Sequence, residues 1–245
     1  MLNNKVARII VVWLVILIQF SFSASVGKKI SGLKVSVKTG NETVAVATLY
    51  DSLGLNSLGL SKAAYDCAMK GYRYFLTTGQ IANNMVISII DFSLPSNAKR
   101  LFVLDLQKGI LLFNTYVAHG RNSGKNMATE FSNNPSSLKS SLGFYITSGT
   151  YRGKHGYSLK LMGEEEGIND NAAERAIVMH AAPYVNESMI RSQGFIGRSL
   201  GCPAIPVKVH KAIIEKIKNG STLFMYSPDE YYLSHSSILN DSVAG

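Results

Sequence analysis

Arg100-Leu101-Phe102-Val103-Leu104-Asp105-Leu106-Gln107-Lys108-Gly109-Ile110-Leu111-Leu112-Phe113-Asn114-Thr115-Tyr116-Val117-Ala118 holds two apolar runs separated by three residues that end in glycine. Runs rich in β-branched and aromatic residues suit a pleated, half-buried surface, and a short glycine-bearing link between two of them sets an antiparallel hairpin. Arg100 to Leu106 and Ile110 to Ala118 are therefore expected as paired strands, turning at Gln107-Lys108-Gly109. Comparable runs lie at Met85 to Asp91, Leu142 to Ser148, Tyr157 to Met162, Ala176 to Ala181 and Thr222 to Tyr226, so the chain reads as mainly β with flanking helices.

Two stretches break the strand pattern. Ala64, Tyr65, Ala68, Met69, Tyr72 and Leu76 recur at three and four, with Ser61 placed to cap a helix and Gly79 placed to end it. Between Pro206 and Gly220, Val209, Ile213 and Ile217 form one stripe while Lys208, Lys211, Glu215 and Lys218 lie largely on the other face. These spacings predict a packing helix over 61–84 and a second helix soon after Cys202.

The 245 residues, 46% hydrophobic and 17% charged, suffice for one substantial core. Lys5 and Arg8, then the apolar run Ile9 to Phe20, then small residues from Ser21 to Ser25, have the three-part layout of a secretory signal peptide over residues 1–25. The run is shorter than the roughly 20 residues that span a bilayer, so membrane contact is expected only through an uncleaved signal. Residues 26–60 carry many Ser, Gly, Thr and Asn without a sustained period and read as a linker or N-terminal arm; 85–233 reads as the main domain and 234–245 as a C-terminal tail. Export places the protein in the periplasm or cell envelope. The formal charge of +9 is scattered rather than striped among aromatics, which argues against nucleic acid and for a carboxylate-bearing or anionic partner.

Chemistry concentrates on Gly197-Arg198-Ser199-Leu200-Gly201-Cys202-Pro203-Ala204. A cysteine near its ordinary pKa is only about 3% thiolate at pH 7, so a cysteine nucleophile needs a base or a cation beside it. His180 closes the apolar run that begins at Ala176, one loop before Cys202, and is the first candidate base; a solvated strand-end histidine is the alternative. His119, at the end of another apolar run, is the rival base or a substrate contact. Gly201 and Pro203 shape a turn in which the amides of Gly201 and Cys202 can converge on an oxyanion. Ser199 is a candidate supporting donor, or simply a turn residue. Arg198 is a candidate carboxylate clamp, or an ordinary surface arginine. His155 and Tyr157 lie in a polar hairpin that can cover a bound peptide, or that has no role beyond turning the chain. Cys67 reads as a buried thiol and no disulfide is expected. Neither paired metal-ligand spacing nor a nucleotide fingerprint occurs, so neither metal nor cofactor is expected; Glu164-Glu165-Glu166 reads as a solvated turn.

Ser199-Leu200-Gly201-Cys202 with the upstream His180 resembles the signature of YkuD-type L,D-transpeptidase catalytic domains, and specifically the murein L,D-transpeptidase catalytic domain family. The likeness extends to Ile90-Asp91-Phe92-Ser93, Arg100 to Asp105, Ala118-His119-Gly120-Arg121-Asn122-Ser123-Gly124, Phe131-Ser132-Asn133 and Ser140-Ser141-Leu142-Gly143-Phe144, roughly residues 61 to 233. It departs from better-known members at Leu200, at Pro203-Ala204 and at Ala181 after His180. The resemblance implies a β-sandwich-type catalytic domain acting on peptidoglycan stem peptides, and a monomer is expected. It implies that Cys202 attacks the third stem residue, releases D-alanine and passes the acyl group to an amine, with His180 as base and then acid. The same thioester passed to water gives an L,D-carboxypeptidase or endopeptidase, and loss of activity gives a wall-binding protein; these alternatives stay open at the level of sequence.

Overall fold

The computed structural model describes residues 48–241; the expected signal peptide and most of the expected linker lie outside them. In chain order the elements are α1 (Leu49–Ser52), α2 (Lys62–Thr78), β1 (Val86–Asp91), β2 (Leu101–Asp105), β3 (Ile110–Thr115), β4 (Gly143–Gly153), β5 (Gly156–Gly163), β6 (Val178–Ala182), α3 (Glu187–Gln193), β7 (Ala204–Pro206), α4 (His210–Ile217), β8 (Thr222–Tyr226) and α5 (Glu230–His235). All eight strands belong to one mixed sheet, ordered β3-β2-β1-β8-β4-β5-β6-β7. The fold is mainly β with flanking helices, as the strand runs predict.

The β2–β3 hairpin forms where its residues suggest, with Gly109 at φ +64° supplying the left-handed turn position. Strands β1, β2 and β8 are buried along their whole length. That explains why they read as continuous apolar runs rather than alternating ones, since both faces of the sheet are covered there. Helix α2 starts at Ser61, whose hydroxyl accepts from Ala64 N–H at 3.2 Å, and ends at Gly79 with φ +71°. It packs through Phe75 edge-on to Phe144 at 5.8 Å, and a Cβ at Gly71 would lie 2.1 Å from the Phe144 ring. Helix α4 buries Ile213, Ile214 and Ile217.

The two ends of the sheet meet. Beyond β3 the chain continues to Ala118, whose N–H donates to the Ala204 carbonyl in β7 at 2.8 Å, making an antiparallel bridge between the opposite margins of the sheet. This bridge brings the segment after β3 to the turn that carries Cys202.

Three expectations are corrected. Residues 48–60 are a packed part of the fold: Thr48 and Asp51 form a reciprocal cap on α1, Tyr50, Leu55 and Leu60 are buried, and the Tyr50 hydroxyl donates to the Leu60 carbonyl at 2.6 Å. Their apolar residues are too few to show a period, yet Tyr50, Leu55 and Leu60 reach the core while Leu58 stays exposed. Glu165 is not solvated; it is fully buried and accepts from Phe144 N–H at 2.7 Å, Tyr232 Oη at 3.3 Å and Ser236 Oγ. By those bonds it holds α5 and the start of the expected tail, where Ile238 and Leu239 are also buried, against β4.

Candidate active site

The segment 118–121 grips the Cys202 turn on both flanks. Ala118 pairs with Ala204 downstream; upstream, Ser199 N–H donates to the His119 carbonyl at 2.9 Å and Arg121 N–H to the Ser199 carbonyl at 2.8 Å. Inside the turn the Ser199 hydroxyl accepts from Gly201 N–H at 3.1 Å and donates to the Cys202 carbonyl at 2.6 Å. Ser140 Oγ, which accepts from Gly120 N–H at 3.0 Å, donates to the Gly201 carbonyl at 2.9 Å. Gly201 has φ +129°, and a Cβ there would stand 2.9 Å from the Lys139 carbonyl oxygen, so glycine is required on both backbone and contact grounds.

This scaffold holds the half-buried Cys202 thiol against the first residues of β6. Val178 N–H points at Sγ from 3.5 Å, and Sγ donates to the Ala176 carbonyl at 3.6 Å. Burial pushes the thiol pKa up, while Val178 N–H and the Arg175 guanidinium pull it down. Cys202 N–H has no hydrogen-bond partner among the described residues beyond its own side chain. Tyr145 and Tyr184 carry phenols raised by burial, Tyr145 against the opposing pull of the Ser141 hydrogen bond and Arg175, and Tyr184 to about 12 with a further push from the nearby Cys202.

His180 is a nearly buried residue within β6, registered against Ser158 on one side and Ala204 on the other, which puts Cys202 two residues upstream of its β7 partner. Its Nδ1 lies 2.9 Å from the Ala181 carbonyl, and a carbonyl only accepts, so Nδ1 carries the proton and Nε2 keeps a free lone pair. Burial lowers its pKa, opposed by the Ala181 carbonyl and reinforced by His155, so the ring is neutral at pH 7. His155, at the tip of the β4–β5 hairpin, stacks on it with ring centroids 4.3 Å apart. No hydrogen bond joins Cys202 Sγ to His180 among the described residues.

A family model of the L,D-transpeptidase catalytic domain matches residues 56–226, more than half of the chain. The chain belongs to the L,D-transpeptidase catalytic domain family. No curated protein matches it. Among solved structures it is similar to an L,D-transpeptidase from Mycobacterium smegmatis, at 12% identity and TM-score 0.36, over 58% of this chain and 59% of that one. It is also similar to an L,D-transpeptidase from Mycobacterium tuberculosis H37Rv, at 12% and 0.35 over 58% of each chain. A third is the helical cell shape determining protein Pgp2 from Campylobacter jejuni, at 12% and 0.42 over 70% of this chain and 58% of that one. In each case the match spans less than two thirds of the solved chain; the assignment rests on the match over 56–226.

Within this L,D-transpeptidase domain, several residues singled out from the sequence take different places. His119 is fully buried: Arg100 Nη2 donates to its Nδ1 at 2.7 Å, and its Nε2–H donates to the Gly124 carbonyl at 3.2 Å. With no exposed surface it serves neither as base nor as substrate contact, and burial beside Arg100 lowers its pKa to about 4. Gly201 N–H is taken by Ser199, so the oxyanion pair reduces to the Cys202 amide from this turn. Ser199 closes the turn rather than touching His180. Arg198 is exposed and its Nη1 holds the carbonyls of Arg121 and Gly124 at 3.2 and 3.1 Å. The Tyr157 hydroxyl donates to Glu215 on α4, while His155 does reach the site. Leu200 is 62% exposed on the outer face of the turn.

Arg175 escaped the sequence reading. Its guanidinium donates to the Ser132 carbonyl at 2.7 Å, the Lys139 carbonyl at 2.5 Å, Ser141 Oγ at 3.1 Å and Ser137 Oγ at 3.2 Å, with no carboxylate among these partners. It thus brings an uncompensated positive charge to the Cys202 turn. The signal available was its position one residue before the carbonyl that receives the thiol proton, which only tertiary pairing reveals.

Proposed function

We propose that this is an exported peptidoglycan L,D-transpeptidase working through a Cys202 thioester. The reading rests on one observation: a thiol seated between Val178 N–H and the Ala176 carbonyl, near a cation and beside a strand whose His180 is neutral with Nε2 bare. Burial keeps the resting sulfur protonated. As a stem peptide displaces water from the cleft, His180 Nε2 takes the proton, through a rotation of the Cys202 side chain or a bridging water, and the Arg175 charge stabilises the thiolate.

The thiolate attacks the carbonyl of the third stem residue, and the oxyanion forms against Cys202 N–H. Collapse of the tetrahedral intermediate breaks the bond to the terminal D-alanine, whose amine leaves with the proton held by His180. An incoming amine then gives up its proton to His180 and takes the acyl group, restoring the thiol.

Intact-protein mass spectrometry with a tetrapeptide muropeptide tests this. The wild type is expected to gain one acyl mass, Cys202→Ala none, and His180→Ala to acylate at least 100-fold more slowly. An unchanged adduct on Cys202→Ala removes the proposal. Cross-linked dimers among the products mark transfer; shortened monomers alone mark hydrolysis.

A further inference from the structure

The two margins of the sheet touch at Ala118 and Ala204 and then part. Continuing that antiparallel register pairs Tyr116 with Pro206, whose ring leaves no N–H to donate, so the ladder stops at a single bridge. Beyond it lies a groove of about 660 Å³. Phe113, Asn114, Thr115 and Tyr116 line it from β3 and the residue that follows; Pro206, Lys208 and Val209 line it from the other margin, and the start of α3 supplies the rest. Cys202, His180 and His155 are not in this lining, so the surface lies apart from the thiol site.

Strand β3 is a sheet edge: it pairs with β2 on one side and has no strand on the other among the described residues. Such an edge is a row of N–H and C=O groups that an extended polypeptide can complete. Ile110–Thr115 holds neither a proline nor a charged side chain to block that pairing. The one break in its register with β2 falls at Leu112, before the part that lines the groove. Phe113 to Tyr116 thus offers about 13 Å of edge at the usual strand rise.

The charge around the edge selects what can lie there. Lys99, Lys208 and Arg191 surround the groove against one acid, Glu187, which Arg191 approaches at 3.9 Å. Lys99 and Lys208 make no salt bridge among the described residues. The complement of this surface is acidic. Residues 26–47 carry Lys28, Lys29, Lys34 and Lys38 against Glu42, and Ser242 to Gly245 hold no acidic side chain, so neither end of this chain supplies it. A second copy laid edge to edge brings the same cations together.

We propose that the free edge of β3 docks an acidic, extended segment of a partner protein, which adds to the sheet beside Phe113 to Tyr116 and sets its carboxylates against Lys99 and Lys208. Backbone pairing supplies the affinity, and the lysines choose the sign of the side chains. The docking stands on the edge and its charge, independently of the Cys202 thioester.

The test titrates the full chain at low salt with a capped octapeptide alternating valine and glutamate, read by fluorescence polarisation. The wild type is expected to bind it, with amide exchange slowed over Phe113 to Tyr116. A fully N-methylated version, and a valine–lysine octapeptide, are each expected to bind about tenfold more weakly or worse. A variant carrying Lys99→Glu and Lys208→Glu is expected to reverse the preference, losing the glutamate peptide and gaining the lysine one, a gain that a misfolded chain cannot give. No binding by the wild type, equal binding of the N-methylated peptide or an unreversed preference overturns the proposal. Protection falling on the β4–β5 hairpin instead of β3, or displacement by an equimolar tetrapeptide muropeptide, overturns it as well, by assigning the peptide to the thiol cleft. So does a chain that sediments as a dimer and becomes monomeric as the peptide binds, since a second copy is then the occupant of the edge.

Discussion

At the scale of single residues, the thiol's acidity is the quantity on which the chemistry turns. Replacing Arg175 by methionine removes the positive charge that lowers the Cys202 pKa while keeping the aliphatic stem. The pH profile of iodoacetamide alkylation is expected to move to higher pH, with the rate at pH 7 falling several-fold. Arg175→Lys is expected to recover part of the shift; a profile identical to wild type for Arg175→Met would show that the charge does not reach the sulfur. Cys202 and His180 stand out in the sequence as candidates because each sits in a local context, a glycine-proline turn and an apolar run, that has no packing use for it. Arg175 was not legible, since its partners at 132, 137, 139 and 141 lie more than 30 residues away in sequence. His119 misled for the same reason: a polar ring closing an apolar run looks free until Arg100, brought alongside by the β2–β3 pairing, is seen to occupy it.

At the scale of elements, Glu165 decides whether α5 belongs to the domain. Glu165→Ala leaves Phe144 N–H and the Tyr232 and Ser236 hydroxyls without their acceptor in a buried setting, at a cost of about 3 kcal/mol or more. Urea unfolding is expected to show that loss, and amide exchange to show α5 deprotected before the sheet; retained protection in α5 would assign its anchoring to apolar packing instead. Helix α2 was readable because seventeen residues display a period between a capping serine and a terminating glycine. Six residues in α5 and three in β7 display none, so these elements exist through tertiary contacts and were missed. The strand read over Ala176 to Ala181 ends one residue short for a related reason: β6 runs to Ala182 because β5 and β7 pair with it, not because of its own composition.

At the scale of the whole molecule, the buried Arg100–His119 pair makes stability depend on pH. His119 titrates near 4 in the folded chain and near 6.5 when unfolded. Between those values the unfolded chain binds the proton and the folded chain does not, so this contribution is complete above about 6.5 and is lost as pH falls toward 4, by up to about 3 kcal/mol. His180 acts in the same direction, whereas Glu165, raised by burial, acts oppositely. Comparing wild type with His119→Gln, which keeps one acceptor and one donor, isolates the histidine. The wild type is expected to lose stability relative to the variant as pH falls from 7 to 4, and parallel curves would contradict the assignment.

Strand β8 completes this sheet late in the chain and in its middle. Between β1 and β4 it joins β3-β2-β1 to β4-β5-β6-β7, which otherwise meet at the Ala118–Ala204 bridge, and it reaches β1 across more than 130 residues. A chain leaving the ribosome therefore holds β1, a wholly apolar strand but for Ser88 and Asp91, with one edge unpaired until residue 226 has been made. The sheet is therefore expected to close only after synthesis passes Tyr226, and a chain shortened before Thr222 is expected to expose the β1 and β4 edges rather than form a smaller domain.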